Sequence, residues 1–129
     1  PGAFTPTCSS LHLPAYLNNA AALREAGADA VYCLSVNDPH VMRAWGASLG
    51  VGDAFDFICD HDAAVVRTLG LVYDLKALHL GTRSIRWAAI VDHGVIARLN
   101  VESPRDIHAV TVSGPWQVLR QLREMRGVA

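Results

Sequence analysis

The first eight residues place a thiol directly behind a loop that two prolines and a glycine restrict. Pro1, Gly2 and Pro6 limit the backbone of this loop, and Cys8 follows where helix-forming signals begin. A thiol in the first turn of a helix meets unpaired N–H groups and the positive end of the helix dipole, and both stabilise the thiolate. Such surroundings lower a cysteine pKa from about 8.5 to between about 3.5 and 7.5. Cys8 is therefore a candidate nucleophile.

A structural interpretation of Cys8 competes with this one, because a free cysteine is also a common small apolar core residue. The polar side chains near it argue against a purely apolar pocket: Thr5, Thr7, Ser9 and Ser10. Ionisation alone would not make a fast thiol enzyme, since complete ionisation at pH 7 raises the thiolate concentration by about 30-fold at most. A fast reaction also needs donors that polarise the leaving atom.

The other two cysteines carry weaker signals. The chain has three cysteines and no C-x-x-C motif, and this odd number favours a reducing compartment with at least one free thiol. Cys33 lies inside an apolar run, and Cys59 ends another. Residues 59–62, Cys-Asp-His-Asp, complete no standard zinc spacing. We therefore predict no metal site and expect Asp62 to cap a helix instead.

The elements that must position these residues alternate between helix and strand. Apolar periodicity and capping residues predict helices that start near Pro14, Pro39, Asp62 and Pro115, with strands over 30–36, 55–59, 85–91 and 95–101. The last two strands are predicted to form a hairpin, because Gly94 supplies the positive φ of a tight turn. The last helix is predicted to hold one apolar face of Trp116, Leu119, Leu122 and Met125. This order predicts an α/β fold with a mixed central sheet flanked by helices.

Length and composition exclude several classes of protein. A chain of 129 residues with 51% hydrophobic and 18% charged residues can bury a core and has room for one domain, residues 1–129. A formal net charge of −1 leaves no electrostatic footprint for nucleic acid or an anionic membrane. The apolar runs are too short to span a bilayer. With no secretory signal pattern and a reducing compartment favoured, we expect a cytoplasmic location.

Several segments together resemble one known family. The pattern Pro1-x-x-x-Thr5-x-x-Cys8 resembles the active-site motif of peroxiredoxins, and the string PGAFTPTCSSLHLPAY is similar to their type II, or peroxiredoxin-5-like, group. Residues 33–38, 69–71 and 83–94 add resemblance in the right order, so that it covers essentially the whole chain. The resemblance implies a thioredoxin-like fold. Because the chain begins at Pro1, we expect the N-terminal strands of that fold to be missing from it.

The resemblance also implies roles for particular residues. Cys8 matches the peroxidatic cysteine, whose thiolate attacks a peroxide and becomes a sulfenic acid. Thr5 matches the threonine that bonds the peroxide, and Arg86 matches the arginine that favours the thiolate and orients the substrate. Pro1 matches the proline that shields the site. The backbone N–H groups of Thr7 and Cys8 would complete the set of donors.

Two neighbouring alternatives compete with these assignments. Arg83 is a rival for Arg86, but the aromatic Trp87 after Arg86 matches the family's usual pair and favours Arg86. Thioredoxins would carry a second cysteine in the active-site loop, where this chain has Thr5 three residues before Cys8. A dithiol–disulfide exchange enzyme is therefore disfavoured.

The resemblance implies a cycle without a prosthetic cofactor, in which an external thiol reduces Cys8: glutathione, glutaredoxin or thioredoxin. Hydrogen peroxide and alkyl hydroperoxides are the implied substrates, and a homodimer is the implied assembly. Cys33 is a candidate resolving cysteine, with a buried core cysteine as the alternative. The segment after Val101 has no cysteine, which favours one-Cys behaviour.

Two other functions stay open at this point. A peroxide-sensing relay would use the same oxidation of Cys8 to pass a disulfide to a partner protein. An incomplete chain without activity is the second, because strands whose neighbours are missing leave unpaired edges and a poorly braced site.

Overall fold

Cys8 lies at the start of the first helical segment. A computed structural model gives the structure of residues 1–127. In it, Cys8–His12 form a π-helical turn that runs directly into helix α1, Leu13–Asn18. Helix α2, Ala20–Glu25, follows after a break at Asn19, whose amide donates to the Ala15 carbonyl at 2.8 Å. This side-chain bond competes with the helical ladder, so the single helix predicted after Pro14 starts earlier and divides in two.

Strands and helices then alternate along the chain. They are β1 (Tyr32–Ser35), α3 (Pro39–Ser48), β2 (Asp56–Cys59), α4 (Ala64–Thr68), β3 (Val72–Asp74), β4 (Thr82–Ser84), β5 (Trp87–Asp92), β6 (Val95–Val101) and α5 (Pro115–Met125). The sequence predicted all of these except β3 and β4. Each of those two strands has three residues, which is too short for an alternating pattern to show.

The strands pair in both orientations. β1 is parallel to β2, whereas β3 with β4 and β5 with β6 are antiparallel. Both orientations occur, as predicted for a mixed sheet, but within residues 1–127 the pairs form three separate two-stranded sheets rather than one central sheet. Val31 before β1 and Ala88 of β5 pack against the same buried cluster. Side-chain packing therefore holds these sheets together without a shared hydrogen-bond ladder.

The cap of α4 differs from the sequence prediction. Asp60, which is buried, accepts hydrogen bonds from the N–H groups of Val65 at 3.0 Å and Val66 at 3.1 Å. Asp62, the predicted cap, accepts one longer bond of 3.2 Å from Ala64. Ala63 adopts a left-handed conformation with φ of 61°, and this turn places Asp60 rather than Asp62 under the helix.

The buried face of α5 was also predicted incorrectly in part. Leu119 and Leu122 are buried as expected, whereas Trp116 is 51% exposed and Met125 is 38% exposed. The ring of Trp116 covers its own helix start, since a Cβ on Gly114 would lie 2.3 Å from it. The buried face continues instead through Val118 and Gln121, and the Gln121 side chain exchanges two hydrogen bonds with the Asn100 amide.

The core that supports Cys8 is an apolar cluster between the N-terminal helices, α3 and the β1–β2 pair. Its buried members are Ala3, Cys8, Leu13, Met42, Trp45, Val51 and Phe55. Cys33 and Cys59 pack against the same cluster. No helix within residues 1–127 combines the length and the hydropathy needed to cross a membrane.

Candidate active site

The loop before Cys8 is held by hydrogen bonds from two sides. Within it, the Thr5 hydroxyl donates to the Gly2 carbonyl at 2.6 Å, and the Thr5 N–H donates to the same oxygen at 3.3 Å. From outside, the Asn37 side-chain oxygen accepts the N–H of Ala3 at 2.9 Å. The sequence did not single out Asn37, although it lies in the 33–38 segment that resembled the family. These bonds fix the loop before the chain enters the π-helical turn.

Gly2 is required by what lies beside it. Its φ is +157°, and a Cβ at this position would lie 2.6 Å from Nη1 of Arg83. Arg83 donates from that nitrogen to the Val36 carbonyl at 3.0 Å and from Nε to the Leu80 carbonyl at 2.9 Å. Arg83 therefore packs behind the loop, and no hydrogen bond joins it to the Cys8 sulfur.

The contact that defines the site joins Cys8 and Arg86. Nη1 of Arg86 donates to Sγ of Cys8 at 3.1 Å, although the two residues are 78 positions apart. Both residues are 6% exposed. Arg86 immediately precedes β5, and its carbonyl accepts the N–H of Glu102 at 2.9 Å. The guanidinium at the start of the β5–β6 pair therefore lies beside the thiol at the start of the first helical segment. The order of these elements along the chain does not show this proximity.

The guanidinium of Arg86 is oriented by further acceptors. Nη1 also donates to Nδ1 of His12 at 3.1 Å, and Nη2 donates to the Ile107 carbonyl at 3.1 Å. Nε is buried without a hydrogen-bond partner among residues 1–127. A buried donor without a partner costs about 1–3 kcal/mol. Within residues 1–127, Nε is therefore the one N–H position of this guanidinium at which no hydrogen bond offsets burial.

His12 acts in this site as a neutral ring. Burial is the largest cause that lowers its pKa, to about 4, and Arg86 adds to this lowering. Its Nε2 lies 3.1 Å from the Ser113 carbonyl, which can only accept, so Nε2 carries the proton and Nδ1 accepts from Arg86. His12 lies four positions after Cys8 in the chain. The structure adds that it is a hydrogen-bond acceptor for the arginine.

The pKa of Cys8 results from opposing causes. Burial raises it, whereas the Pro1 amine, the Arg86 guanidinium and the hydrogen bonds from Thr5 and Gly2 lower it, and the balance places the pKa at about 7. Burial also lowers the pKa of the Pro1 amine itself. We therefore assign the lowering of the Cys8 pKa mainly to Arg86, because a guanidinium keeps its positive charge at every pH at which proteins are folded.

The other predicted site residues take different positions. Pro1 is half-buried, and the electrostatic influence of Cys8 on its amine places it near the thiol. The Thr7 hydroxyl is paired with Nδ1 of His108 at 2.6 Å. The structure thus brings Cys8, Thr5, Pro1 and Arg86 together. It engages the Thr7 side chain elsewhere, leaving its backbone N–H as the group predicted to act.

Cys33 and Cys59 are free thiols like Cys8, but they lie on the β1–β2 pair. Cys33 lies opposite Phe57, and Cys59 lies opposite Ser35. Burial raises the pKa of Cys33 to about 12, and the neighbouring Cys8 adds to this effect. A thiol with such a pKa is protonated at neutral pH, which opposes a role as an attacking thiolate.

Comparison with known proteins places this site in a family. A family model described as Redoxin matches residues 1–114. The chain is 44% identical over 123 residues to "Peroxiredoxin-2F, mitochondrial" of Oryza sativa subsp. japonica, covering 95% of this chain and 61% of that protein. It is 41% identical over 122 residues to "Peroxiredoxin-2C" of Arabidopsis thaliana, covering 95% and 74% of the two chains.

A solved structure gives the same result for the fold. The structure of reduced Prx3 in complex with hydrogen peroxide from Vibrio vulnificus matches with a TM-score of 0.87 and 42% identity, covering 95% of this chain and 76% of that chain. The chain therefore belongs to the redoxin family and, within it, to the peroxiredoxins. The predicted thioredoxin-like fold and the predicted family are both confirmed. The chain spans 61% of the rice Peroxiredoxin-2F and 54% of a second rice relative, "Peroxiredoxin-2E-2, chloroplastic".

Proposed function

We propose that this protein is a thiol-dependent peroxidase that reduces hydrogen peroxide and small alkyl hydroperoxides with Cys8 as the attacking group. The observation that carries this proposal is the 3.1 Å hydrogen bond from Arg86 to the Cys8 sulfur. It places a permanent cation beside a buried thiol, and the same guanidinium has an unpartnered Nε–H. Donors fixed in advance around a reacting atom are the largest single source of catalysis in many enzymes.

The first step of the proposed reaction is the oxidation of Cys8 by the peroxide. The Cys8 thiolate attacks the outer oxygen of a hydroperoxide, forming an S–O bond while the O–O bond breaks. Cys8 is oxidised to a sulfenic acid, and the other oxygen leaves as an alkoxide or hydroxide that takes up a proton to become alcohol or water. In this proposal Arg86 and the Thr5 hydroxyl stabilise the charge that develops on the two oxygens.

The return step requires an external thiol. The raised pKa of Cys33 supports this assignment, because Cys33 is a poor internal nucleophile at neutral pH. One reductant thiol would attack the Cys8 sulfenic acid, forming a mixed disulfide and releasing water. A second thiol, from the same dithiol or from another monothiol molecule, would then attack that disulfide, leaving the reductant oxidised and Cys8 reduced. Glutathione, glutaredoxin and thioredoxin are the proposed reductants. The cycle as proposed uses no prosthetic group.

Assembly and location are part of the same proposal. Two large apolar side chains near Cys8 are exposed, Phe4 at 57% and Leu11 at 46%, which supports a homodimer that covers the active-site side of the molecule. The three free cysteines support a reducing compartment, and we propose the cytoplasm. Residues 1–129 are proposed to form one domain.

A trapping experiment tests the proposed chemistry. The protein is exposed briefly to near-stoichiometric hydrogen peroxide with dimedone present, and its intact mass is measured. We expect rapid dimedone labelling at Cys8, no labelling in Cys8→Ser, and unchanged labelling in the matched control Cys33→Ser. Slow oxidation spread over all three cysteines would contradict the proposal.

A second assay separates the peroxidase from a redox relay. Peroxide consumption is followed with excess glutathione plus glutaredoxin, or with a thioredoxin system. Many turnovers per Cys8 support the peroxidase. Rapid oxidation of Cys8 followed by a single turnover with every reductant would favour a relay that transfers its oxidation to a protein partner.

A further inference from the structure

The connection between β6 and α5 is a long loop that one carboxylate closes at its neck. Oε2 of Glu102 accepts the N–H of Thr111 at 2.7 Å, the N–H of Ser113 at 2.8 Å and the Ser113 hydroxyl at 2.6 Å. Oε1 accepts the Thr111 hydroxyl at 2.5 Å. Residues 103–112 therefore form an Ω-loop, called here the 103–112 loop. Its closing carboxylate is 3% exposed.

This loop supplies the acceptors that orient Arg86. Directly, the Ile107 carbonyl accepts from Nη2 of Arg86 at 3.1 Å. Indirectly, the Ser113 carbonyl accepts from Nε2 of His12 at 3.1 Å, and Nδ1 of His12 accepts from Nη1 of Arg86 at 3.1 Å. The Tyr16 hydroxyl donates to the same Ser113 carbonyl at 2.6 Å. Both acceptors of the guanidinium other than Cys8 thus depend on where the loop and its neck lie.

Glu102 makes no hydrogen bond to Cys8, and its hydrogen bond to Arg86 comes from its backbone, from the Glu102 N–H to the Arg86 carbonyl at 2.9 Å. We propose that the Glu102 side chain is a positioning residue: by closing the neck of the 103–112 loop, it fixes the two acceptors that aim the Arg86 guanidinium at the Cys8 sulfur. Its effect on catalysis rests on the proposed peroxidase function. Its effect on the Cys8–Arg86 contact does not.

The lowered pKa of the Glu102 carboxyl agrees with a role in holding the loop. Burial raises the pKa of Glu102, but the hydrogen bonds from Ser113 and Thr111 outweigh it and hold the pKa below its usual value. The group is therefore charged across the neutral range. Its partners are neutral donors, and hydrogen bonds to a charged acceptor are stronger than those between two neutral groups. Losing the carboxylate would leave two neck N–H groups without their acceptor and would free the loop.

Three substitutions at Glu102 distinguish reach from charge. Glu102→Ala removes both, Glu102→Gln keeps the reach without the charge, and Glu102→Asp keeps the charge but shortens the reach by one methylene. The readout is the pH profile of Cys8 alkylation by iodoacetamide, which requires no peroxidase activity. Asp60→Ala is the matched control, because Asp60 is also a buried carboxylate that accepts two backbone N–H groups but lies in α4.

The expected pattern is specific to positioning. Glu102→Ala and Glu102→Asp should shift the alkylation midpoint to higher pH and lower kcat/KM for peroxide by roughly ten- to a hundred-fold, whereas Glu102→Gln and Asp60→Ala should stay near the parent protein. If Glu102 acted on Cys8 through its charge instead, both Glu102→Gln and Glu102→Ala would shift the alkylation midpoint to lower pH. A downward shift in Glu102→Gln, or no shift in Glu102→Asp, would overturn the proposal. If Glu102→Ala does not fold, the Gln and Asp variants decide alone.

If the parent protein fails to react with peroxide while the Glu102 variants still shift Cys8 alkylation as expected, the proposed function is wrong and the positioning role stands. The opposite result, rapid peroxide reduction with an unchanged alkylation profile in Glu102→Asp, leaves the function and removes the role of Glu102.

Discussion

Cys8 and Cys33 pack against one apolar cluster, yet their chemistry differs. Burial raises the pKa of both thiols. Only Cys8 lies at the start of a helical segment and accepts a hydrogen bond from a guanidinium, and its pKa falls to about 7 while that of Cys33 rises to about 12. Of these two thiols, only the one to which the fold supplies a cation and hydrogen-bond donors has a lowered pKa.

Replacing the guanidinium of Arg86 by another cation should have the largest effect on this difference. In Arg86→Lys a compact ammonium cannot donate to Cys8, His12 and Ile107 at once. We expect the second-order rate of Cys8 oxidation by hydrogen peroxide to fall by about 10²–10³-fold, as for the loss of a transition-state donor. Stopped-flow kinetics with the exposed Arg98→Lys as control measures this. An equal loss in both variants would contradict the assignment of Arg86.

The two thiols should also separate in a simple alkylation experiment. At pH 7 about half of Cys8 but only about 10⁻⁵ of Cys33 is thiolate, and the higher nucleophilicity of the more basic thiolate recovers about two of these orders of magnitude. We expect Cys8 to react with iodoacetamide about 300-fold faster. Cys8 alkylation should level off above its pKa of about 7, because the thiolate fraction is then complete, while Cys33 alkylation should still rise with pH.

Peptide mass spectrometry after timed quenching distinguishes the two sites, and the protein in urea is the control. Unfolding should make the two rates similar. Similar rates in the folded protein would show that the site does not activate Cys8.

The hydroxyl of Thr5 should have an intermediate effect. It lowers the pKa of Cys8 and also donates to the Gly2 carbonyl that shapes the loop. We expect Thr5→Val to slow Cys8 oxidation by roughly ten- to a hundred-fold, which corresponds to one hydrogen bond to a charged group, and Thr5→Ser to recover most of the rate. Competition kinetics with a fixed peroxide concentration would measure both. No recovery in Thr5→Ser would point to packing by the methyl group instead.

Removing Cys33 should have the smallest effect. Cys33 is not among the groups that set the pKa of Cys8. We expect Cys33→Ser to change the rate of Cys8 oxidation by less than about two-fold, which is about 0.4 kcal/mol in the barrier. Dimedone trapping at short times measures this step. A large decrease would mean that Cys33 takes part in the first oxidation.

Local signals in the sequence were enough for much of the fold. Pro39 predicted the start of α3, and the structure adds that the Asp38 side chain caps it at 2.9 Å from the Val41 N–H. Gly94 predicted the hairpin turn, which lies between β5 and β6. Such signals succeed because a cap or a turn depends on a few consecutive residues.

The incorrect predictions, of the α4 cap and of the buried face of α5, also have physical reasons. Asp60 and Asp62 are both acceptable caps by residue type, and the left-handed turn at Ala63 decided between them. Trp116 and Met125 fit the helical period, but the position of α5 against β6 turned Gln121 inward to pair with Asn100. Tertiary packing overrides periodicity where a polar side chain finds a buried partner.

The sequence by itself determined the identity of the thiol, the helix that begins at it and the family to which the chain belongs, because these depend on residues that are close together or on a contiguous motif. The resemblance to the family favoured Arg86 over Arg83, but only the tertiary structure shows the contact of Arg86 with Cys8 and the groups that hold that arginine. Arg83 and Arg86 differ by three positions in the chain, yet only Arg86 reaches the sulfur. Contacts between distant segments depend on how strands, helix and loop pack together, and Glu102 has no signal in the sequence for that reason.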